Sequence, residues 1–515
     1  MRSLDIPLLE NEVWWGGLVN DGVRMPYGRP GAGRFERSLI PHLGNNQGTP
    51  LLVSSRGRYV WNDDPFEFEV SEDRRLRLTS HGADFHLVDT HGGLRAAFRA
   101  AAGAHFPADG RSPDPLLFSK PQYNTWMELQ YDHTQAGIIA YAEAVIANGF
   151  PPGVIMVDDT WQEDYGVWRF HPGRFSDAKA MMRRLHDLGF SVMLWVCPFV
   201  SADSLLFRRL RERGLFVRDG SGEPVIRKWW NGHSAVLDGS NPDAFAWMRE
   251  ELHLLKRDHG VDGFKFDAGD IEYYETADRT FAPITPHGQA EAWARLGLEF
   301  ALNEYRSCWK CAGLPLVQRL SDKSHAWNDR GLGSLVPNAL AQGLMGYAFI
   351  CPDMIGGGLQ PEFADPAASI DQELFVRYAQ CAALFPMMQF SFAPWRALTP
   401  ENMELCRQAV ALHDRMAPEI ERWARHAAET GEPILRHLAY EYPDAGFESV
   451  GDQFMLGPTI LVAPVLEKGA VMRIVKFPPG AWEGADGNVV NGPCEQAVPA
   501  PLGVLPWYRR LGGCA

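Results

Sequence analysis

Apolar and polar residues alternate with a period of two through the first hundred or so residues, then give way to longer apolar stretches with a helical period. LLVSS (51–55), YVWND (59–63), FEFEV (66–70) and LRLTS (76–80) alternate side by side, with Gly and Asp punctuation between them. That pattern predicts antiparallel strands and an N-terminal β-sandwich over residues 1–112. From about residue 113 the texture changes. Lys120–Trp126, VIMVDD (154–159), SVMLWVCPF (191–199), VDGFKFD (261–267), PLVQRL (315–320), YAFICPD (347–353), PMMQFSF (386–392) and EPILRHL (432–438) are strand-like runs. Helical sequence separates them: a helix ending near Asn148-Gly149, then Asp177–Leu188, Asn241-Pro242 to His259, and stretches near 288–311, 333–345, 371–384 and 401–430. Asn-Pro at the head of a helix is a cap followed by proline at the first helical position, and Gly just past the end is the matching stop signal. Eight alternations of strand and helix predict an α/β fold, a closed (β/α)8 TIM barrel over residues 113–438. No Gly-rich phosphate turn follows an early strand, which argues against an open doubly wound sheet. After 439 the helical period ends, and QFMLG, TILVAPVL, MRIVKF and VLPWYR predict a C-terminal β-domain over 439–515.

Composition narrows the function. The net charge is −15, which argues against nucleic acid or an anionic membrane as partner. No window approaches the roughly 20 apolar residues of a membrane span. The opening MRSLDIPLLENEVWW has no basic start leading into an apolar run, so no secretory signal is read. With 8 Cys in 515 residues, a disulfide scaffold is not expected, and a reducing, cytoplasmic setting is. The 17 Trp, several beside carboxylates, hint at carbohydrate handling. Cys308-Trp309-Lys310-Cys311 has no second Cys pair or His pair to complete four ligands, so it reads as structural, and neither a metal nor a cofactor is expected.

In such a barrel the active site lies at the C-terminal ends of the strands. Asp158 and Asp159, Trp195, Lys265 and Asp267, Arg319, Asp353 and Gln389 fall at or near those ends. Any one of them, taken singly, reads equally well as a helix cap or a satisfied core group. Lys265 and Asp267 are two apart on one strand, so they share a face. Either they form a structural ion pair, or the lysine keeps an enclosed aspartate ionised as a nucleophile.

VDGFKFDAGD resembles the nucleophile strand of glycoside hydrolase family 31. SSRGRYVWND (54–63), IMVDDTWQEDYG (155–166), HPGRFSDAKAMMRRLHDLGFSVMLWVCPF (171–199), CPDMIGG (351–357) and DQFMLGPTILVAPVL (452–466) agree with it in the right order. PQYNTWMELQYDHTQ (121–135), KWWNGHSAVLD (228–238) and DRGLGSLVPNAL (329–340) resemble the branch containing the mammalian myogenesis-regulating glycosidase, whose members include α-galactosidases. The resemblance implies a retaining, exo-acting α-glycosidase acting on an oligosaccharide or glycoside. Asp267 matches the nucleophile. Asp329 is the preferred acid/base, with Asp322 seven residues earlier as its competitor and a helix-capping role open to both. Asp158, Asp159, Lys265, Arg319 and Asp353 are expected to hold sugar hydroxyls, and Trp126, Trp195 and Trp230 to form apolar walls. The α-glucosidase pattern of Arg-Ser-Ala, Trp-x-Gly-Asp and His-Asp-Ile-Gly is replaced by Arg319-Leu320-Ser321, Trp327-Asn328-Asp329 and Pro352-Asp353-Met354-Ile355. That departure puts glucose specificity in doubt, and the branch resemblance favours α-galactosides over α-glucosides or α-xylosides. A transglycosylase with the same carboxylates and a non-catalytic carbohydrate-binding protein are the alternatives. Homo-oligomer formation is expected of a barrel flanked by β-domains.

Overall fold

The computed structural model describes residues 1–40, 46–359 and 370–512. Two antiparallel sheets form the N-terminal part. The first orders its strands Arg2–Pro7, Arg75–Ser80, Glu67–Val70 and Phe35–Ser38. The second is built on Gln47–Ser54, which pairs with Trp14–Leu18 and with Arg58–Trp61. Alternate residues of Arg75–Ser80 are buried, as a sheet with one covered face requires.

Eight short strands form the barrel: β1 (Gln122–Asn124), β2 (Val154–Val157), β3 (Ser191–Val196), β4 (Gly263–Phe266), β5 (Asn303–Tyr305), β6 (Gln318–Arg319), β7 (Ile350–Cys351) and β8 (Gln389–Phe390). From β1 to β7 each pairs in parallel with the next, and β8 pairs in parallel with β1. The seam between β7 and β8 is bridged by Ile355 N donating to Gln389 O at 2.8 Å. All residues of β2 and β4 are buried, which explains their continuous apolar runs. Gly263 is required where β4 meets β5, because a Cβ there would stand 2.1 Å from Leu302 O.

The helix signals in the sequence act as expected. Pro242–His259 starts on Asn241, whose side chain accepts from Asp243 N at 3.0 Å, and stops at Gly260 with φ 76°. The 31-residue helix Pro400–Thr430 begins after Thr399 and stops at Gly431 with φ 74°.

The eight-strand count is right, but one strand is assigned to the wrong run. The run 432–438 is not the eighth barrel strand: Leu435–Arg436 pairs antiparallel with Phe454–Leu456 in the six-stranded C-terminal sheet. The missing strand, β5, lies inside the expected helix 288–311. That helix ends at Leu296, and a short 3-10 turn leads into β5. Beyond it, Cys308–Trp309 leaves the barrel and pairs with Gln47–Gly48 of the N-terminal sheet. Three residues of mixed polarity carry no visible strand period, so β5 was hidden by the helical residues before it. Its stability comes from a side chain. Asn303 Nδ2 donates to Phe300 O and Pro315 O at 2.8 and 3.0 Å, and its Oδ1 accepts from Val317 N at 2.9 Å.

Asn303→Ala strands these buried backbone groups. It is expected to lower the unfolding free energy by about 3 kcal/mol, read as a shifted urea midpoint; an unchanged midpoint would show that β5 is held by the ladder alone.

Candidate active site

A cavity of about 310 Å³ opens at the C-terminal ends of the strands. Its lining includes Trp126, Asp158, Asp159, Trp195, Trp230, Lys265, Asp267 and Arg319 from the sequence expectation. It also includes Asp322, the competing acid/base position, together with Arg306, Tyr131 and Met354, which sequence reasoning did not single out.

Asp267 sits one residue past β4, on the same face as Lys265. Its Oδ1 accepts from Ala268 N at 2.8 Å, and Ala268 adopts φ 53° to aim that N–H back at the carboxylate. Its Oδ2 accepts from Trp195 Nε1 at 2.8 Å, so the tryptophan expected as a wall is also a donor. Arg306 Nε lies 3.2 Å from Oδ1. Burial alone would raise the Asp267 pKa. The charges of Arg306 and Lys265 and the Trp195 bond outweigh it and hold the carboxyl well below the usual range.

Every cation on the cavity wall is paired. Lys265 Nζ meets Asp158 Oδ2 at 2.7 Å. Arg306 reaches past Asp267 to Asp270 at 2.6 Å, and its guanidinium lies 4.7 Å from the Trp230 ring centre. Arg319 contacts Glu304 at 3.5 Å, Asp322 at 2.8 Å and Asp353 at 2.5 Å.

The structure separates the two acid/base candidates. Asp322 follows β6 by three residues and lines the cavity, with its side chain 30% exposed. Asp329 is exposed and is not part of the lining. Ser324 N bonds to Arg330 O and Leu332 N to Ala326 O, both at 2.8 Å, which pinches off the segment between them. Asp329 rides on that excursion, exposed and outside the cavity lining where the sequence reading put it. Asp353 is also off the cavity surface. It is 0% exposed behind Arg319 and accepts from Lys323 N at 2.6 Å, a loop-holding position. Gln389 lies deeper in the barrel and donates to Glu304 at 2.7 Å and Gln122 at 2.8 Å.

Protonation follows burial and pairing. Burial raises the pKa of Asp322, but Arg319, Arg306 and Lys265 outweigh it and bring the group below its ordinary value, while the Asp267 charge pushes the other way. Burial, then the neighbouring Asp158 charge, pushes Asp159 up to about 7. Burial also takes Asp353 to about 7, against the opposing pull of Arg319. Arg306 was missed because it lies one residue past the unseen β5; Glu304 on that strand was missed for the same reason. Cys308 and Cys311 are buried at the junction with the N-terminal sheet. Among the described residues, no group of three or more His, Cys, Asp or Glu is placed to hold a metal ion, and no helix is long and apolar enough to cross a membrane.

Comparison with known proteins agrees with the fold. The glycosyl hydrolases family 31 TIM-barrel domain matches residues 115–310, and the glycosyl hydrolase family 31 C-terminal domain matches residues 431–514. The chain is 33% identical to the myogenesis-regulating glycosidase of Mus musculus over 469 residues, covering 85% of this chain and 65% of that protein. It thus spans just under two thirds of that relative's length. In fold, it matches a dextranase of Flavobacterium johnsoniae solved with glucose at a TM-score of 0.86 and 20% identity, over 99% of this chain and 66% of that one. It matches an α-xylosidase from a soil metagenome solved with xylose at 0.81 and 23% identity, over 99% and 79%. Barrel, C-terminal sheet and a relative one third identical along most of the chain lead to one conclusion: the protein belongs to glycoside hydrolase family 31.

Proposed function

We propose that the protein is a retaining, exo-acting α-glycosidase with Asp267 as nucleophile and Asp322, in place of Asp329, as general acid/base. The observation that carries this reading is that Asp267 and Asp322 line one cavity while Asp329 does not. Retaining glycosidases place two carboxyl groups across the scissile bond, about 5–5.5 Å apart. In the first step an Asp267 oxygen attacks the anomeric carbon. The bond to the leaving oxygen breaks, and the Asp322 proton passes to that oxygen. In the second step Asp322 takes a proton from water, whose oxygen displaces Asp267 from the sugar. Forming the ester removes the Asp267 charge, and that charge is one of the influences raising the Asp322 pKa. Asp322 therefore becomes a stronger acid, and stays ionised to act as base, when the second step needs it.

Four carboxylates against three cations line the cavity. Of these, the ionised Asp267 carboxylate suits the positive charge that develops at the anomeric carbon. Because Lys265, Arg306 and Arg319 are each paired with carboxylates, a neutral sugar is favoured over an anionic one. Met354 brings an apolar wall where the segment departs from the α-glucosidase pattern. This departure and the resemblance to the branch that includes α-galactosidases favour a terminal α-galactoside, with α-glucoside or α-xyloside hydrolysis as the second reading.

On a panel of p-nitrophenyl α-glycosides, release from the α-galactoside is expected, with kcat/KM reduced at least about 10³-fold in Asp267→Ala. Release from the α-glucoside or α-xyloside alone would keep the mechanism and overturn the sugar. Asp322→Ala is expected to lower kcat about 10²–10⁴-fold on substrates with poor leaving groups, and added azide should restore turnover to give the α-glycosyl azide. Asp329→Ala is expected to stay within about twofold of the parent, as for a surface change; the opposite ranking would return the acid/base role to Asp329. Only protonated Asp322 can donate, and Arg319 lowers its pKa. The profile of kcat/KM should therefore fall as pH rises, with its basic limb on the acid side of neutrality. A plateau extending above pH 8 would contradict this.

A further inference from the structure

Between β3 and the next barrel helix, a hairpin of Ile226–Trp229 and Gly232–Val236 is inserted, with Trp230 and Asn231 at its tip. Its root is fixed by Trp229, which is buried with its ring centre 4.5 Å from Phe199 and 4.7 Å from Tyr165. Trp230 is 43% exposed and faces the cavity above Arg306. The tip has a separate attachment. Asn231 Nδ2 donates to Asp159 Oδ2 in a short bond, and Asn231 Oδ1 accepts from Tyr131 Oη at 3.0 Å. One amide thus joins the hairpin, the end of β2 and the loop after β1. It uses the donor and the acceptor that a single amide side chain carries.

The hydrogen bonds of the two neighbouring aspartates differ in the same sense. An ionised carboxylate accepts about four hydrogen bonds. Asp159 already receives Thr160 N at 2.6 Å, Gln162 Nε2 at 3.4 Å, Tyr165 Oη at 3.3 Å and the Asn231 amide. Among the described residues, Asp158 receives Lys265 Nζ at 2.7 Å and Asp159 N at 2.9 Å and no others. Asp158 keeps acceptor capacity for a sugar hydroxyl, whereas the capacity of Asp159 is spent on the protein.

We propose that Asn231 is a positioning residue that latches the hairpin to Asp159 and Tyr131, so that Trp230 closes the wall of the sugar pocket. The assignment of a sugar to the pocket rests on the glycosidase reading above; the latch itself does not. Asp159 belongs to the latch, and Asp158 is the member of the pair that meets substrate. The latch sets affinity and leaves the reacting carboxylates untouched.

The test uses the full chain with Asn231→Ala and Asn231→Asp. In Asn231→Ala, amide hydrogen exchange is expected to speed up at least about fivefold in residues 226–236, with KM for the preferred p-nitrophenyl glycoside raised about tenfold and kcat within about threefold. Asn231→Asp sets a second carboxylate against Asp159. Asp158 and Asp267 add negative charge around that pair, Tyr131 and Tyr165 are neutral, and Arg174 is the nearby cation. Repulsion raises the pair's affinity for a shared proton above that of Asp159 beside an amide, so the pair keeps that proton at pH 5 and gives it up on the alkaline side. Its KM ratio to the parent should therefore be near one at pH 5 and grow about tenfold by pH 9. Unchanged exchange in 226–236 in the alanine variant, or a pH-independent ratio in the aspartate variant, would overturn the latch. If the parent hydrolyses no glycoside, the exchange measurement still decides the latch, so the two proposals fail separately.

Discussion

Arg319 is the group on which the floor of the site depends. It is 1% exposed and stands among Glu304 from β5, Asp322 beyond β6 and Asp353 beyond β7. Carboxylates taken out of water are tolerated only where a cation and hydrogen bonds replace the solvent. One guanidinium meets that condition for three of them and so fixes three strand ends relative to one another. Lys265 does the same for Asp158, and Arg306 for Asp267 and Asp270. The cavity can hold so many acids because each cation is shared. The same sharing tunes them unequally: Asp267 is held below its ordinary range, while Asp159, pressed by burial and by Asp158, and Asp353, wholly buried behind Arg319, rise to about 7.

This network explains what could be seen in the chain and what could not. Lys265 and Asp267 were legible because a period of two on a buried strand fixes which side chains share a face. The helix starting at Asn241-Pro242 was legible because its caps are local. β5 was not, because its three residues are held by the bonds of a single Asn side chain and by a ladder whose partners lie far away in sequence. With β5 went Glu304 and Arg306, both set by tertiary contact. The choice between Asp322 and Asp329 was open for a related reason. Both follow β6, and only the backbone bonds that pinch off the segment around Asp329 decide which of them faces the cavity.

The barrel and its loops divide the work in a way the burial makes plain. Strand-borne groups such as Lys265, Glu304 and Arg319 are almost wholly enclosed, and their positions follow from the packing of the barrel. Loop-borne groups such as Trp230 and Tyr131 are nearly half exposed, so packing alone leaves them underdetermined. Polar contacts between one loop and the next take over that role, and Asn231 is where two such contacts meet. Sites in which a rigid scaffold carries the chemistry and its loops shape the pocket are common to barrel folds.

The C-terminal sheet has a part in this as well. The loop that carries Asp322 continues to His325 and Trp327, and both are held by Asp371, which the C-terminal region contacts. Trp327 Nε1 donates to Asp371 Oδ2 at 3.0 Å, and the same oxygen meets Lys468 Nζ of the C-terminal region at 2.7 Å. Asp371 N donates to His325 Nε2 at 2.8 Å, and His325 Nδ1 donates to Gly356 O at 2.7 Å. Asp371 is also the cap of the helix Gln372–Ala382, whose Glu373 accepts from Gly469 N at 2.8 Å. The Asp322 loop is therefore braced on one side by Arg319 and on the other by a helix cap that the C-terminal region grips. In the acid/base role proposed for Asp322, a carboxyl group that gives and takes a proton at one fixed oxygen needs bracing of this kind.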